Sequence, residues 1–371
     1  MKITSIKTFH VDTCLLVRVY TDAGIVGTGE SGLWAHQDMV RQAIEELSEY
    51  YVGKDAGRIE HHYQVVSRNT HFMGSVLSAA MSAIDVALWD ILGKSLDKPV
   101  HQLLGGKVRD RVKVFGNVQG RTYDERAKQA RDYVDQGYVS LRTIPYFPGF
   151  EQKPASQVVA EAVGIVKAIR EAIGYEIDLG IEVHRSLARN EVVVLGNELA
   201  PYRILYLEDP LMPESTDSLR YVAAHMNIPL AAGERSYNLY QFKEIIDTGA
   251  VSLVRPDISL VGGFTQAKKI AGLAESALVG IFPHLMGSPI NISSYTQFAA
   301  SVPNFVLMES WLPADEFNEI LENPPKREGG YIVVPDRPGI GVELREDKLA
   351  KFPRRPRPVS GHFREDGSVA H

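Results

Sequence analysis

The sequence predicts an α/β protein whose larger part is an eight-stranded (β/α)₈ barrel. From about residue 111, short β-rich runs alternate with helix-length segments, which implies a parallel sheet with helical crossovers. The runs recur about every 25–35 residues, and eight of them fit into roughly 200 residues, as in a closed barrel. A doubly wound sheet is the alternative that the pattern alone leaves open. The predicted strands are Val112–Gly116, Val139–Ile144, Ile177–Glu182, Ile204–Glu208, Pro229–Glu234, Val251–Asp257, Ala277–His284 and Asn304–Glu309.

The chain before the barrel predicts a smaller α+β unit, because antiparallel strands are followed by helices. Turn-forming residues precede the third β-rich run, as in a meander. The helices have apolar residues at three- or four-residue spacing, and the last of them carries one apolar stripe. The strands are Ile6–His10, Leu15–Tyr20 and Ile25–Gly27, and the helices are residues 37–50, 56–68 and 75–93.

Three segments follow from these patterns. Residues 1–110 form the α+β unit and residues 111–328 form the barrel. Residues 329–371 return to an irregular composition rich in proline and charge. We expect this last segment to pack back on the first unit.

Composition and charge argue against several classes of protein. The net charge is −6 and the pI about 6.0, which disfavours nucleic acid or an anionic membrane as the main partner. The single cysteine, Cys14, allows no intramolecular disulfide and fits a reducing compartment. The N-terminus lacks the features of a signal peptide, and no run of about 18 apolar residues occurs. We therefore expect a cytoplasmic protein that does not span a membrane.

Ionisable residues end six of the predicted barrel strands. In a barrel, the carboxyl ends of the strands meet at one mouth, where functional groups lie. A single carboxylate after a strand is usually a helix cap or a surface charge, but six ionisable residues in phase with the repeat favour a shared site. They follow one another at intervals of 23 to 27 residues: Glu182, Glu208, Glu234, Asp257, His284 and Glu309.

The first three of these groups predict a metal site. Three carboxylates at one mouth repel one another, and a hard divalent cation with oxygen ligands, such as Mg²⁺, relieves that repulsion. We therefore expect Glu182, Glu208 and Glu234 to be metal ligands. Such a cation can hold a substrate carboxylate and stabilise the charge of an enediolate.

Two histidines are candidates for acid–base chemistry. His184 lies two residues after Glu182, so both side chains can point to the same side of an extended backbone. His284 lies on the strand next to Asp257, whose carboxylate would accept the Nδ1 proton and make the ring more basic. Glu309 could contact a developing oxyanion if it is protonated, or position a substrate group.

The stretch Gly27–Gly32 matches the dinucleotide fingerprint G-x-G-x-x-G, but its context does not fit. It follows a β-turn, and the helix after it leads into more helix rather than into a second parallel strand. We expect these glycines to permit a flexible loop. The loop from Gly29 to His36, which contains Trp34, could cover the barrel mouth.

Taken together, these motifs resemble the enolase superfamily, and within it the sugar-acid dehydratases of galactonate type in the mandelate racemase/muconate lactonising group. The resemblance covers nearly the whole chain. It is carried by Glu182-Val183-His184, Leu207-Glu208-Asp209-Pro210, Ala232-Gly233-Glu234-Arg235, Arg255-Pro256-Asp257, Pro283-His284, Glu309, Ala87-Leu88-Trp89-Asp90, Leu103-Leu104-Gly105-Gly106 and Glu365-Asp366-Gly367-Ser368-Val369-Ala370.

The resemblance implies a fold and a reaction. The fold is a modified barrel under an N-terminal capping domain that the C-terminal segment completes. The reaction is Mg²⁺-dependent removal of the proton next to a carboxylate, then loss of hydroxide to give a 2-keto-3-deoxy acid. His284 with Asp257 would be the base, His184 the acid and Glu309 a support for the enediolate, with the two histidine roles exchangeable.

Substrate contacts and partners complete these expectations. We expect Trp34, Arg142 and Glu309 to contact a small sugar-acid substrate in a homo-oligomeric enzyme.

Two positions depart from the family pattern. Glu182 stands where the family normally has aspartate, and the second strand lacks the lysine base of the racemase and lactonising branches.

Two alternatives remain open from the sequence. One is an epimerase in which His184 and His284 act on opposite faces of the same carbon. The other is a catalytically weak homologue that binds sugar acids, which the replacement of aspartate by Glu182 makes conceivable.

Overall fold

The computed structural model describes residues 1–310, 315–359 and 361–370. Its first part, which we call the N-terminal domain, begins with an antiparallel sheet in the order β1-β2-β3. Four helices follow the sheet. The elements are β1 (Ile3–Val11), β2 (Cys14–Thr21), β3 (Val26–Glu30), α1 (Gln37–Tyr51), α2 (Ile59–Asn69), α3 (Ser75–Ser95) and α4 (Val100–Leu103).

Helix α3 forms the core of the N-terminal domain. It is buried on nearly every side, so the prediction of a single apolar stripe is wrong. By length and composition it could cross a membrane, but 78% of its most apolar stretch is buried inside the protein. One face packs on the sheet, and the other meets the barrel, where the Trp89 indole N–H donates to the Thr265 hydroxyl at 3.0 Å.

The glycines of the stretch Gly27–Gly32 have a packing role. Gly27 and Gly29 lie in β3, and a Cβ atom at either position would overlap the carbonyl oxygen of Ala87 or Ala83 in α3. These glycines therefore let the strand approach the helix closely. The expectation that they form a flexible loop is wrong.

Seven parallel strands and seven helices make up most of the second part. The strands form one sheet in the order β11-β10-β9-β8-β7-β6-β5. The elements are β4 (Arg111–Lys113), β5 (Gly116–Val118), α5 (Tyr123–Asp135), β6 (Ser140–Thr143), α6 (Ala155–Ile173), β7 (Asp178–Glu182), α7 (Arg189–Leu199), β8 (Tyr206–Glu208), α8 (Thr216–Ala224), β9 (Leu230–Ala232), α9 (Leu239–Asp247), β10 (Leu253–Val254), α10 (Gly263–Ser276), β11 (Gly280–Ile281) and α11 (Pro289–Ala300).

The sheet closes into a barrel through an eighth stretch of chain. Isolated parallel bridges join Phe305 to Ile281 of β11 and Met308 to Val114, just before β5. Residues 305–308 therefore take the place of the eighth barrel strand. The barrel is confirmed, and the doubly wound alternative is wrong.

The first predicted barrel strand, Val112–Gly116, is divided in the structure. Its beginning, β4, pairs antiparallel with β14 (Tyr331–Val333) of the C-terminal segment, and only its last residue belongs to the barrel strand β5. The other barrel strands are shorter than predicted. The strands β9, β10 and β11 end two or three residues before Glu234, Asp257 and His284, whereas β7 and β8 end at Glu182 and Glu208 as predicted.

The C-terminal segment contacts both parts of the molecule. Its other strands are β15 (Glu343–Leu344), β16 (His362–Phe363) and β17 (Val369–Ala370), and the short strands β12 (Leu321–Glu322) and β13 (Arg327–Glu328) precede the segment. The Asp12 amide donates to the Phe352 carbonyl at 3.0 Å, and the Arg355 amide donates to the Asp12 carbonyl at 2.8 Å. The exact boundaries of the three predicted segments stay a prediction.

Candidate active site

Three carboxylates converge at the carboxyl ends of β7, β8 and β9. Glu182 and Glu208 are the last residues of paired strands and lie opposite each other in register. Glu234 follows β9 by two residues, and one oxygen from each of the three side chains lies within 4.8 Å of the others. Although Glu182 is one methylene longer than the aspartate of the family pattern, its carboxylate joins the cluster.

Two arginines from the barrel interior hold this cluster. Arg142 of β6 reaches Glu182 Oε2 at 2.8 Å and Glu208 Oε1 at 2.9 Å. Arg255, just beyond β10, reaches Glu208 Oε1 at 2.7 Å and Glu234 Oε2 at 3.6 Å. Both guanidinium groups are buried, and each lies over an aromatic ring, Phe115 for Arg142 and Phe282 for Arg255. Charged hydrogen bonds of this kind fix the orientation of the carboxylates.

A third arginine approaches from the loop after β7. Arg185 forms ion pairs with Asp209, at 3.1 Å, and with Glu234. Residues His184, Arg185 and Asp209 all have positive φ angles of 39° to 61°. Non-glycine residues rarely adopt this backbone conformation, and it concentrates at functional sites.

The unpaired oxygens of the cluster fit a cation. The arginines occupy Glu182 Oε2 and Glu208 Oε1, whereas Glu182 Oε1 and Glu208 Oε2 are buried without a hydrogen-bond partner among the described residues. Buried polar atoms without partners are costly. Burial also raises the pKa of Glu182, and raises that of Glu208 well above its usual range. A metal ion would supply the missing partner for both oxygens, so the residues present fit a divalent cation.

The formal charges agree with that fit. Five carboxylates meet three guanidinium groups, which leaves two negative charges. One divalent cation would neutralise them. The carboxylates are Glu182, Glu208, Asp209, Glu234 and Glu309, and the cations are Arg142, Arg185 and Arg255.

His284 and Asp257 form the predicted dyad. His284 Nδ1 lies 2.7 Å from Asp257 Oδ2, and its Nε2 lies 3.9 Å from Glu234 Oε2. Burial lowers the pKa of His284, but the hydrogen bond to Asp257 and the nearby charges of Glu234 and Glu309 outweigh it and raise that pKa to about 9. Nδ1 therefore faces Asp257, while Nε2 faces the carboxylate cluster.

Asp257 is itself held firmly. Its Oδ1 accepts hydrogen bonds from the Ser259 amide at 2.9 Å and from the Tyr295 hydroxyl. Because these donors occupy Oδ1, Oδ2 stays directed at His284.

His184 and Glu309 contact different groups of the site. His184 Nε2 is 3.0 Å from Arg185 Nη2, and burial and this arginine lower the pKa of His184. Glu309 Oε1 lies 3.1 Å from Arg142, and Oε2 accepts from Arg255 at 3.1 Å and from the Leu285 amide at 3.2 Å. N–H donors thus face both Glu309 oxygens.

The two other predicted substrate contacts differ in position. Arg142 lies inside the cluster, although as a partner of the carboxylates. Trp34 lies at the edge of the N-terminal domain, where its ring stacks under Arg357 at 4.5 Å. The loop before it does reach the barrel, since the Gly32 amide donates to the Ser259 carbonyl at 2.9 Å. The substrate roles of Trp34 and Arg142 stay predictions.

Sequence reasoning missed several residues of the site. Arg255 lies within the motif Arg255-Pro256-Asp257, but no role was predicted for it, and Arg185 directly follows His184. Tyr295 lies in the middle of α11, far along the chain, and no local pattern marks it.

Two family models match most of this chain. A family model for the N-terminal domain of mandelate racemase/muconate lactonizing enzymes matches residues 2–105, and a model for enolase C-terminal-like domains matches residues 125–348. A crystal structure of a candidate dehydratase from Mesorhizobium loti is 30% identical, covers 95% of this chain and 98% of its own, and has a TM-score of 0.89.

Two further solved structures are similar along the chain. A candidate galactarate dehydratase from Agrobacterium radiobacter, with sodium and L-malate bound, is 28% identical over 100% of both chains, with a TM-score of 0.93. A candidate mandelate racemase/muconate lactonizing enzyme from Labrenzia alexandrii is 30% identical over 95% of this chain and 100% of its own, with a TM-score of 0.89.

Proposed function

Because this chain belongs to the enolase superfamily, we propose that it is a Mg²⁺-dependent dehydratase that converts an aldonic or aldaric acid into a 2-keto-3-deoxy acid. The observation that carries the proposal is the position of His284. Its Nε2 lies 3.9 Å from Glu234, beside the three candidate metal ligands. A base in that place can reach the proton next to a carboxylate bound at the cluster.

Each group then has one part in the reaction. Glu182, Glu208 and Glu234 would hold the cation, which when bound would anchor the substrate carboxylate and stabilise the negative charge of an enediolate. His284 Nε2 takes the proton from C2, and Asp257 keeps the ring in the tautomer that can accept it.

Elimination and ketonisation complete the reaction. As the C2=C3 bond forms, the C3–O bond breaks, and His184 gives a proton to the departing hydroxide, so that water leaves. The resulting enol takes a proton at C3 and becomes the 2-keto acid. Glu309, Arg142 and Trp34 would contact the substrate.

A second candidate reaction is epimerisation at C2. The observation in its favour is that burial and Arg185 lower the pKa of His184. A neutral histidine suits a second base better than an acid. In an epimerase, one histidine would remove the C2 proton and the other would return a proton to the opposite face.

The test is turnover of a panel of aldonic and aldaric acids with Mg²⁺ in D₂O. A dehydratase yields a 2-keto acid with deuterium at C3. An epimerase yields deuterium at C2 and no keto acid, which would refute the dehydratase proposal. Binding without turnover of any acid would favour the sugar-acid-binding homologue. The control is His284→Asn, which should be inactive in either reaction.

A further inference from the structure

A buried carboxylate of the N-terminal domain reaches into the barrel next to the His284 dyad. Glu30, the last residue of β3, is fully buried. Its Oε1 accepts from the Ser288 amide at 2.8 Å, and its Oε2 accepts from the Ser288 hydroxyl at 2.7 Å and the Asn291 amide at 3.3 Å. The proposed reaction gives this carboxylate no part.

These contacts fix the beginning of helix α11. Ser288 is the N-cap residue, and its hydroxyl oxygen also accepts from the Ile290 amide at 3.1 Å. A carboxylate at this end satisfies free amides and interacts favourably with the helix dipole. Because Ser288 follows His284 by four residues, Glu30 also anchors the loop that carries His284.

A second connection leads from the same helix to Asp257. Asn291 Oδ1 accepts from the Ser259 hydroxyl at 2.7 Å. The Ser259 amide donates to Asp257 Oδ1 at 2.9 Å, and Asp257 Oδ2 lies 2.7 Å from His284 Nδ1. Both members of the dyad are thus tied to the turn of α11 that Glu30 holds.

The backbone around these groups leaves no spare room. A Cβ atom at Gly287 would lie 2.6 Å from Glu30 Oε1, and one at Gly32 would lie 2.7 Å from Asp257 Oδ1. The approach of the N-terminal domain to the dyad therefore depends on glycine on both sides of the interface.

We infer that Glu30 is a positioning residue for His284, through which docking of the N-terminal domain sets the orientation of the general base. The inference rests on the proposed function, since it takes His284 as the base. Glu30→Gln keeps the shape of the side chain but turns an amide NH₂ toward the N–H donors of α11. The start of the helix then shifts, and His284 with it. Because a misplacement of about 1 Å can cost about 100-fold, we expect kcat to fall about 10- to 100-fold with KM little changed.

The chain offers a matched control. Asp85 of α3 is also buried, and it likewise accepts from the amide and the hydroxyl of one residue near the start of a barrel helix, Thr265. Burial raises the pKa of both Glu30 and Asp85 to about 7. We would therefore compare Glu30→Gln and Asp85→Asn with Mg²⁺ at about pH 8.5, where both wild-type carboxylates are ionised.

Two readouts test the inference. The first is kcat and KM. The second needs no substrate: the low-field NMR signal of the His284 Nδ1 proton, identified by its absence in His284→Asn. We expect Glu30→Gln to lose or broaden this signal and Asp85→Asn to keep it at a similar loss of Tm. An unchanged signal in Glu30→Gln would overturn the inference, whereas a lost signal in a protein with no dehydratase activity would fault only the proposed function.

A second variant keeps the test decisive if Glu30→Gln does not fold. Ser259→Ala removes the hydrogen bond to Asn291 and leaves the Ser259 amide on Asp257. We expect it to weaken the same NMR signal and to lower kcat at an unchanged KM. If both variants fold, the two losses should add only in part, because the connection from α11 to Asp257 is shared by both residues. A Ser259→Ala protein with wild-type kcat and signal would refute the connection.

Discussion

The hydrogen bonds of the Asp257–His284 dyad predict how the substitution Asp257→Asn changes the proton on His284. In Asp257→Asn, the new side chain has one oxygen and one NH₂ group. The Ser259 amide and the Tyr295 hydroxyl both donate at the Oδ1 position, so the oxygen of the amide stays there. The NH₂ group then faces His284 Nδ1, which must become the acceptor. The ring proton moves to Nε2, and Nε2 can no longer take a proton from the substrate.

The size of the effect follows from this change of tautomer. A positioned base contributes about 10²–10⁴ in rate, so we expect kcat to fall by that factor, or about 3–5 kcal/mol in barrier. The pH profile should move as well. Because the pKa of His284 is raised to about 9, we expect the wild-type rate to rise with pH as the ring loses its proton. Loss of the adjacent charge lowers such a pKa by about 1–3 units, so the rising limb moves to lower pH.

The assay is a pH–rate profile for each of four proteins. They are the wild type, Asp257→Asn, His284→Asn and the double variant. The double variant should be little worse than His284→Asn alone, because the two residues act as a unit. Tyr295→Phe is the control, since it removes one donor from Oδ1 and leaves the bond to His284. Two results would refute the reasoning: losses of kcat that add fully in the double variant, or a rising limb of the pH–rate profile that does not move in Asp257→Asn.

Three further predictions concern the carboxylates and their arginines. Glu208→Gln should abolish activity and weaken Mg²⁺ binding, and an unchanged affinity by calorimetry would end its assignment as a ligand. Glu182→Asp shortens a carboxylate that reaches both Arg142 and the cluster, so we expect Mg²⁺ affinity to fall about tenfold; equal or better affinity and activity would mean that the extra methylene is unimportant. Arg255→Met removes the buried cation whose Nη2 contacts both Glu208 and Glu309 and should destabilise the protein by about 3–5 kcal/mol, measured by denaturant unfolding. A loss below about 1 kcal/mol would show that the pair contributes little.

The features that repeat along the chain could be predicted from the sequence. The barrel and the convergence of Glu182, Glu208 and Glu234 follow from one period, because parallel strands bring their carboxyl ends to the same mouth. The dyad of Asp257 and His284 follows from the same period. In each case the residue lies at or just after the end of a strand, and the repeat of strand and helix brings these strand ends together.

The features that depend on contacts between distant segments could not be predicted. Gly27 and Gly29 look like loop residues until Ala83 and Ala87 are known to lie against them. The division of Val112–Gly116 depends on β14, more than two hundred residues later. Arginine is usually a surface residue, so the sequence does not predict that Arg255 is buried. Only its position among the carboxylates shows that it balances their charge.

Because arginines surround the three carboxylates, the stability of the fold should depend little on a bound cation. In many small metalloproteins the ligands repel one another until the ion binds, and a chelator unfolds the chain. Here Arg142, Arg185 and Arg255 already neutralise most of that repulsion. The protein should therefore tolerate repeated removal and return of its metal, and one divalent ion could be exchanged for another in an intact barrel. Thermal unfolding with and without a chelator should differ only by the free energy of ion binding itself.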